Sequence, residues 1–538
     1  MKAFDLTHEP WIPVLIADTN LRDQPEATVT FCELGLRDVL KRAHHIREVY
    51  CDSPIETVAI YRLLLAIGID GFWPSTGKSP WLERWRQGNF DPAEVDAYFD
   101  RPEHREAFFL IHPERPFYQH PQPLAKEPAP LSKLFHGEAS GNNGTLFDHS
   151  VDDLPQTAAP ALVARGLLAT QAAAIGGGVA IPFNFSHGPL VGGAIFWIRG
   201  NCLFEGLLLN APPYDKARAY SGEDTVPDVP CWRAELPDLH ERRAARSYLD
   251  YLTWQARRIT VQFDLTNPFT LKATGVYFSQ GDRNDPIKDP LMATVIPRDA
   301  KKEAFPFNFR PDRALWRDAS GLLQLTGEKR GNSPRTFQWL QEHAQLRYAG
   351  VADWRSLSEQ VDVFGLMNDQ AKIELWRHDR MPVYFSYLIE QERVLVLEAL
   401  LEFAEEQALN LRDAAKRVAN YALASPRAGG IDLPKADTGA ATNFVNALGA
   451  EPRYWGSLET HFYQALAEIA ALPLEEANAY RWEWAMRIFH NAQTAFRDAT
   501  AALDQSARLL RAVAEGERVL RPVKEFMNRQ KALKEVIA

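Results

Sequence analysis

Met367-Asn368-Asp369-Gln370-Ala371-Lys372-Ile373-Glu374-Leu375-Trp376-Arg377-His378-Asp379 stands where the chain changes character. A mostly apolar run, Val361 to Leu366, precedes it, and beyond Tyr384 the pattern turns to long helices. Read locally, the stretch is a loop and first helical turn with Asn368 or Asp369 as N-cap. Read chemically, it is crowded with groups that suit nucleic acid. Asn and Gln carry a donor and an acceptor on one rigid amide and can pair with a base edge. Lys372, Arg377 and Arg380 bring phosphate-seeking charge within a few residues.

Working outward toward the C-terminus, helical periodicity covers roughly 387–422, 457–471, 475–502 and 504–535. A Pro/Gly/Ala linker, Ser425 to Gly439, separates the first two, and Pro522 should kink or break the last. Mostly short links between four helices predict an up-down bundle. Its last helix carries more Arg and Lys than acid, which reads as a solvated face or a phosphate contact. Toward the N-terminus the signals are mixed. Phe4-Asp5-Leu6, Trp11 to Val14 and Thr28 to Phe31 read as strands. Ser53-Pro54-Ile55-Glu56 opens an apolar helix through Ala66, with Ser53 able to cap and Glu56 able to close a capping box. Two short helices at 80–100, a Pro-rich connector at 113–130 and a polar loop from Gly137 to Asp148 follow. A helix over 158–174 then precedes a strand from Ala194 to Ile198, and 210–240 and 280–335 read as loops. The fold class is therefore α+β, a large mixed N-terminal domain over 1–383 followed by a C-terminal four-helix bundle over 384–538.

A chain of 538 residues, 46% hydrophobic and 24% charged, is an ordinary globular protein. No apolar run reaches membrane-span length, and Met1 to Asp5 lacks a signal-peptide core, so no membrane partner is expected. Four isolated cysteines, Cys32, Cys51, Cys202 and Cys231, argue against a zinc ribbon and for the reducing cytoplasm. The net charge of −10 excludes a uniformly basic coat but not a local basic patch.

Enzyme motifs fail one by one. Gly77-Lys78-Ser79 resembles the end of a P-loop, but Phe72 stands where the motif needs glycine, and a helix rather than a strand precedes it. His378-Asp379 suggests the alternative of a metal-dependent HD-type phosphohydrolase. That chemistry needs further ligands, for which His44-His45 and His490 are available without any singling spacing. No catalytic residue, metal or cofactor is assigned. Gly176-Gly177-Gly178 is different: a side-chain-free backbone, free at positive φ, suits close approach to phosphates or a groove edge. It equally suits a helix C-cap and turn.

Several motifs together resemble the large subunit of type I-E CRISPR Cascade, the CasA family. Trp11-Ile12-Pro13-Val14 is similar to that family's N-terminal strand, and Arg115 to Gln119 to its H-P-F-x-Q element. Lys133-Leu134 through Ser140 to Asn143 and on to Leu146-Phe147-Asp148-His149 resembles its RNA-contacting loop. Gln171 to Gly178, followed by Gly192-Gly193 and Phe196 to Gly200, resembles its glycine loop and adjacent strand. Asn368-x-Gln370-Ala371-x-Ile373 through Arg377-His378-Asp379 resembles its wedge segment, and Glu459 to Tyr463 a helix of its bundle.

The resemblance implies a non-enzymatic subunit that reads the protospacer-adjacent motif (PAM) of target double-stranded DNA from the minor-groove side. Gln370 would be the wedge and Asn368 its neighbour, with Gly176, Gly177 and Gly178 against the PAM. The family's PAM-contacting lysine would fall to Arg283 or Lys288. Asn143 and Phe147 would meet the guide RNA's 5′ handle. Implied partners are the other Cascade subunits and the CRISPR helicase–nuclease. The cysteine pairs of some relatives are missing, which again implies no metal.

Overall fold

A helix that is apolar on every side has to be buried, and Pro54–Gly71 is such a helix. In the computed structural model every residue from Ile55 to Gly68 is buried except Glu56. The expected capping box does not form. Ser53 makes no side-chain cap, and Glu56 instead faces Arg165 Nε at 3.4 Å. The helix also outruns Ala66. It reaches Gly71 because Gly68 leaves room for the Trp73 ring, which a Cβ there would meet at 1.4 Å.

The structure describes the chain apart from residues 74–77, 136–156, 178–179, 181–183, 212–227, 235–241, 244, 267–269, 285–288, 296–304, 311–312, 326–330, 349–353, 370–371, 425–435 and 521–538. Contacts group it into two units. The first comprises Met1–Leu315, Leu325–Val351 and Ser358–Val383, the second Trp316–Gln324, Ala352–Leu357 and Tyr384–Ala538.

Within the first unit, Ile12–Ile16 is the centre of an antiparallel sheet between Thr30–Leu34 and Ile46–Val49. It is buried along nearly its whole length, only Leu15 being half-buried, as the central strand of the three. Helix Pro160–Ala173 packs on Pro54–Gly71. An antiparallel hairpin, Arg257–Asp264 with Lys272–Gln280, carries a bulge between Gln262 and Phe263. A second sheet has Ser358–Asp369 in the middle, Ile195–Ile198 on one side and Lys372–Tyr384 on the other. The loop and helical turn expected around 367–379 are thus corrected to two long strands. The local cap signal loses to pairing with Ile195–Ile198, which nothing near residue 368 announces.

The second unit is helical, as expected. Glu392–Leu423 packs against Ala450–Ala471, Leu474–Thr500 and Ala507–Leu520, with a shorter helix, Thr438–Leu448, beside them. The helix expected over 457–471 starts earlier, at Ala450, after Gly449 ends its predecessor at φ +63°. Gly516 lets the last described helix lie close on Glu392–Leu423, since a Cβ there would meet Val418 at 2.8 Å and the Ala414 carbonyl oxygen at 3.0 Å. The expected break at Pro522 lies outside the described residues. No described helix is long and apolar enough to cross a membrane.

Candidate nucleic-acid interface

The glycine run is one arm of a clasp. The chain leaves helix Pro160–Ala173, runs through Gly177, and returns along residues 184–190. Leu190 donates its N–H to the Ala172 carbonyl, Gly188 to Ala174, and Gly177 to Phe185, each at 2.8 Å. These three bonds keep one antiparallel register, so the arms form a short ladder. Gly176 donates to His187 Nδ1 at 2.9 Å. Burial, and then the nearby Arg257 charge, lower the His187 pKa, which keeps its ring an acceptor.

Gly176 and Gly177 each have a structural reason to be glycine. A Cβ on Gly176 would lie 2.9 Å from the His187 nitrogen and 3.0 Å from the Phe185 oxygen, both backbone atoms. Gly177 is exposed and sits at φ +107°, where L-residues are strained. The amides of both are already engaged. Those two N–H groups are therefore not on offer to phosphates, as the sequence had led us to expect, and what Gly177 exposes is backbone without a side chain. Gly178 lies outside the described residues.

Three side chains pin the clasp from behind. Gln171 accepts from the Arg257 N–H at 2.8 Å and donates to its carbonyl at 2.7 Å, standing in for a neighbouring strand. Gln280, fully buried, accepts from the Ser186 N–H at 2.8 Å and donates to Ser186 Oγ at 3.0 Å. The Arg257 guanidinium reaches both arms. Three residues past Gln280, Arg283 lies beside Arg242 on a neighbouring strand. Lys288 is outside the described residues.

From Leu190 the chain passes Gly192-Gly193 into Ile195–Ile198, whose first residue pairs with Phe364. The pairing is antiparallel, so residues beyond Phe364 run back toward the clasp; a Cβ on Gly365 would come 3.4 Å from Ala194 Cβ. At about 3.3 Å per residue, Asp369 stands roughly 17 Å past that pair. The hairpin's far end, with Asn368 in its backbone, therefore runs out past the end of Ile195–Ile198 at which the chain arrives from the clasp. Gln370 falls between the two strands in sequence and is outside the described residues, as are Asn143 and Phe147.

Alternation along the strands sorts the hairpin's side chains into two faces. On one, Asp362, 1% exposed, accepts from Arg380 Nε at 2.7 Å and pairs with His378 Nε2 at 3.0 Å and Arg199 Nε at 3.4 Å. Burial would raise this carboxyl; the His378 hydrogen bond and the two guanidiniums outweigh it and hold it below the ordinary carboxylate range. Glu48 joins the group, 2.9 Å from Arg199 and 3.1 Å from Arg380. Phe364 stacks on His378, ring centres 4.5 Å apart. On the other face Arg377 grips Asp379 at 2.7 and 2.9 Å, donates to the Arg313 carbonyl at 2.9 Å and lies over Phe309. The phosphate-seeking role read into Arg377 and Arg380 is corrected accordingly: both are engaged with carboxylates.

This alternation also removes support for the HD alternative. His378 and Asp379 point to opposite faces of an extended strand and cannot share one ion. Each already has a partner, and no group of three or more His, Cys, Asp and Glu fit to hold a metal occurs among the described residues.

Comparison with known proteins agrees over nearly the whole chain. The family model for CRISPR-associated protein Cse1 matches residues 5–495. The CRISPR-associated protein CasA/Cse1 of Thermus thermophilus is 31% identical over 533 residues, covering 96% of each chain. The crystal structure of Thermus thermophilus CasA superposes with a TM-score of 0.76 at 26% identity, covering 96% of this chain and 98% of that one. A chain of a CRISPR RNA-guided surveillance complex shares the fold, with a TM-score of 0.73 at 20% identity over 97% of this chain and 100% of that one.

Proposed function

The chain belongs to the CRISPR-associated Cse1 (CasA) family, and on that premise we propose that it is the non-catalytic large subunit of an RNA-guided surveillance complex. In this reading it recognises the PAM of target duplex DNA and starts strand separation beside it. It then recruits the helicase–nuclease that degrades the target. Guide pairing reads the target sequence, so protein needs to read only a short duplex tag and begin melting.

One observation carries the reading: the far end of the hairpin runs out past the end of Ile195–Ile198 at which the chain arrives from the glycine clasp. A groove edge could lie on the side-chain-free arm while the hairpin end reaches the first base step. Wedging a base step costs roughly a few kcal/mol, which seed pairing offsets. A wedge also has to resist the push of the bases. The Asp362 cluster on one face of the hairpin and the Arg377–Asp379 pair on the other brace its root. Minor-groove patterns are degenerate, so several PAMs should be tolerated. Asn143 and Phe147 would face the guide RNA handle, and Arg283 or Lys288 the PAM-proximal backbone.

The test is omission. Complexes reconstituted with guide RNA, with and without this chain, are offered a duplex pool randomised beside the guide-matched segment. The bound DNA is then sequenced. The complete complex should select particular flanks, and the complex lacking this chain should select none. Equal selection by both would assign PAM reading elsewhere and leave this chain a scaffold.

A further inference from the structure

Arg257 opens the strand Arg257–Asp264, yet is only 4% exposed. Its guanidinium donates to the Ser186 carbonyl at 2.7 Å, to the Ile175 carbonyl at 2.8 Å and to the Ala256 carbonyl at 2.8 Å. The Phe185 ring lies 4.4 Å from it. Ile175 is the residue before the glycines, and Ser186 is on the returning arm. One rigid fork thus holds both arms of the clasp on either side of Gly176 and Gly177. Lysine, a point charge on a flexible stem, has no such fork.

A buried cation normally sits against a carboxylate. Here, among the described residues, the guanidinium has carbonyls and a ring for partners, and no Asp or Glu within ion-pair distance. Burial alone lowers its pKa, to about 9, so it remains charged at neutral pH. Carbonyl dipoles satisfy the donors without cancelling the charge. That charge sits at the Ile175 carbonyl, directly before the glycines.

We propose that Arg257 is the positioning residue of the PAM surface, its fork setting the spacing of the two glycine-clasp arms and its uncompensated charge favouring a polyanion laid across them. This rests on the reading that the glycine clasp faces the PAM, and it adds a residue and a cause to that reading. Arg257 acts through the clasp and need not touch DNA.

The test uses reconstituted complexes carrying Arg257→Lys, which keeps the charge and loses the fork, and Arg257→Met, which loses both. Three probes are used: the flank-randomised duplex pool, a duplex with one selected flank, and the same target pre-melted across the guide-matched segment. Both variants should flatten flank selection by about tenfold or more, the worth of one charge-assisted hydrogen bond. Binding to pre-melted DNA should stay within about twofold, because guide pairing is untouched. At low salt Arg257→Met should bind duplex more weakly than Arg257→Lys, and added salt should close that gap. Amide exchange at Gly177 and Gly188 should speed up in both variants. That measurement also covers the case in which Arg257→Met assembles poorly, because Arg257→Lys then carries the test alone.

A merely structural Arg257 would weaken duplex and pre-melted DNA together, and that result overturns the proposal. So does wild-type flank selection by a folded Arg257→Lys with faster exchange. Gly177→Asp, run in parallel, separates the two levels of inference. If it too leaves flank selection intact, the PAM surface lies elsewhere. If it abolishes selection while Arg257→Lys does not, the clasp stands and the role given to Arg257 falls.

Discussion

Substituting Gly177 separates three effects whose sizes follow from the clasp geometry. Gly177→Ala adds a Cβ at φ +107°, a conformation that costs an L-residue about 1–3 kcal/mol. Since Gly177 is exposed, crowding adds little. Gly176→Ala is the comparator with the opposite balance. Its Cβ would press on backbone of the returning arm at 2.9–3.0 Å. The arms must part, at about 1–3 kcal/mol for overpacking and about 1 kcal/mol for each hydrogen bond loosened. Gly177→Asp repeats the Gly177→Ala strain and adds a charge. With a phosphate about 8 Å away, repulsion is about 0.5 kcal/mol in bulk water and about 2 kcal/mol near a protein surface. Gly177→Asp should therefore bind PAM-bearing duplex about 2- to 30-fold more weakly than Gly177→Ala at low salt. Because the chain has two units, the strain is best read locally, as amide exchange at Gly177 and Gly188. Binding is read by titrating reconstituted complexes with duplex at fixed salt. Equal affinities for the Ala and Asp variants, at equal local exchange, would show that no phosphate passes the clasp. The glycines would then be there only to let the arms close.

Three further outcomes concern the isolated chain. Asp362→Ala leaves Arg199, Arg380 and His378 facing an empty site and should cost about 2–4 kcal/mol locally, discounted because Arg380 is 40% exposed; limited proteolysis within 358–384 checks it, and wild-type resistance would show that the cluster does not brace the hairpin. Burial, opposed by Arg165, raises Glu56 to about 7, so its contribution is fully present below the ordinary value of 4.5 and is lost as pH rises through 7. Glu56→Gln should therefore raise the melting temperature at pH 8, by about 1–3 kcal/mol of stability, with little change at pH 4.5; a fall at pH 8 would show that the Arg165 pair outweighs burial. Desolvation lowers buried His104, half-buried His44 and the more exposed His187, so wild-type stability, read as melting temperature, should also fall as pH drops below 6.5.

What the sequence made legible were features carried by local pattern. Trp11 to Val14, the helix from Pro54 and the helix before Gly176 announce themselves by periodicity and capping chemistry, as do the helices beyond Tyr384. The strands of 358–384 do not. Their polar residues look like loop until Asp362 is seen with Arg199 and Arg380, and Arg377 with the Arg313 carbonyl. Those partners are distant in sequence, so only the fold shows that the charges are used internally. The clasp's returning arm, Asn184-Phe185-Ser186-His187-Gly188-Pro189, has no strand alternation either. Arg257 was invisible for a third reason: an arginine opening a strand is expected to point to water. Gly176 to Gly178 were legible as a stretch of backbone free of side chains, but the fact that the amides of Gly176 and Gly177 are spent inside the clasp was not.

If the end of the hairpin separates the first base step, the difference must show between duplex and pre-melted target. Complexes carrying Gln370→Ala together with Asn368→Ala are titrated with both DNAs at one salt concentration. The double variant should bind intact duplex far more weakly than wild type and pre-melted DNA nearly as well, because strand separation is the step it lacks. The expected gap is a few kcal/mol, the cost of unstacking a step. Equal losses on the two DNAs, or none on either, would contradict a wedge at residues 368–370.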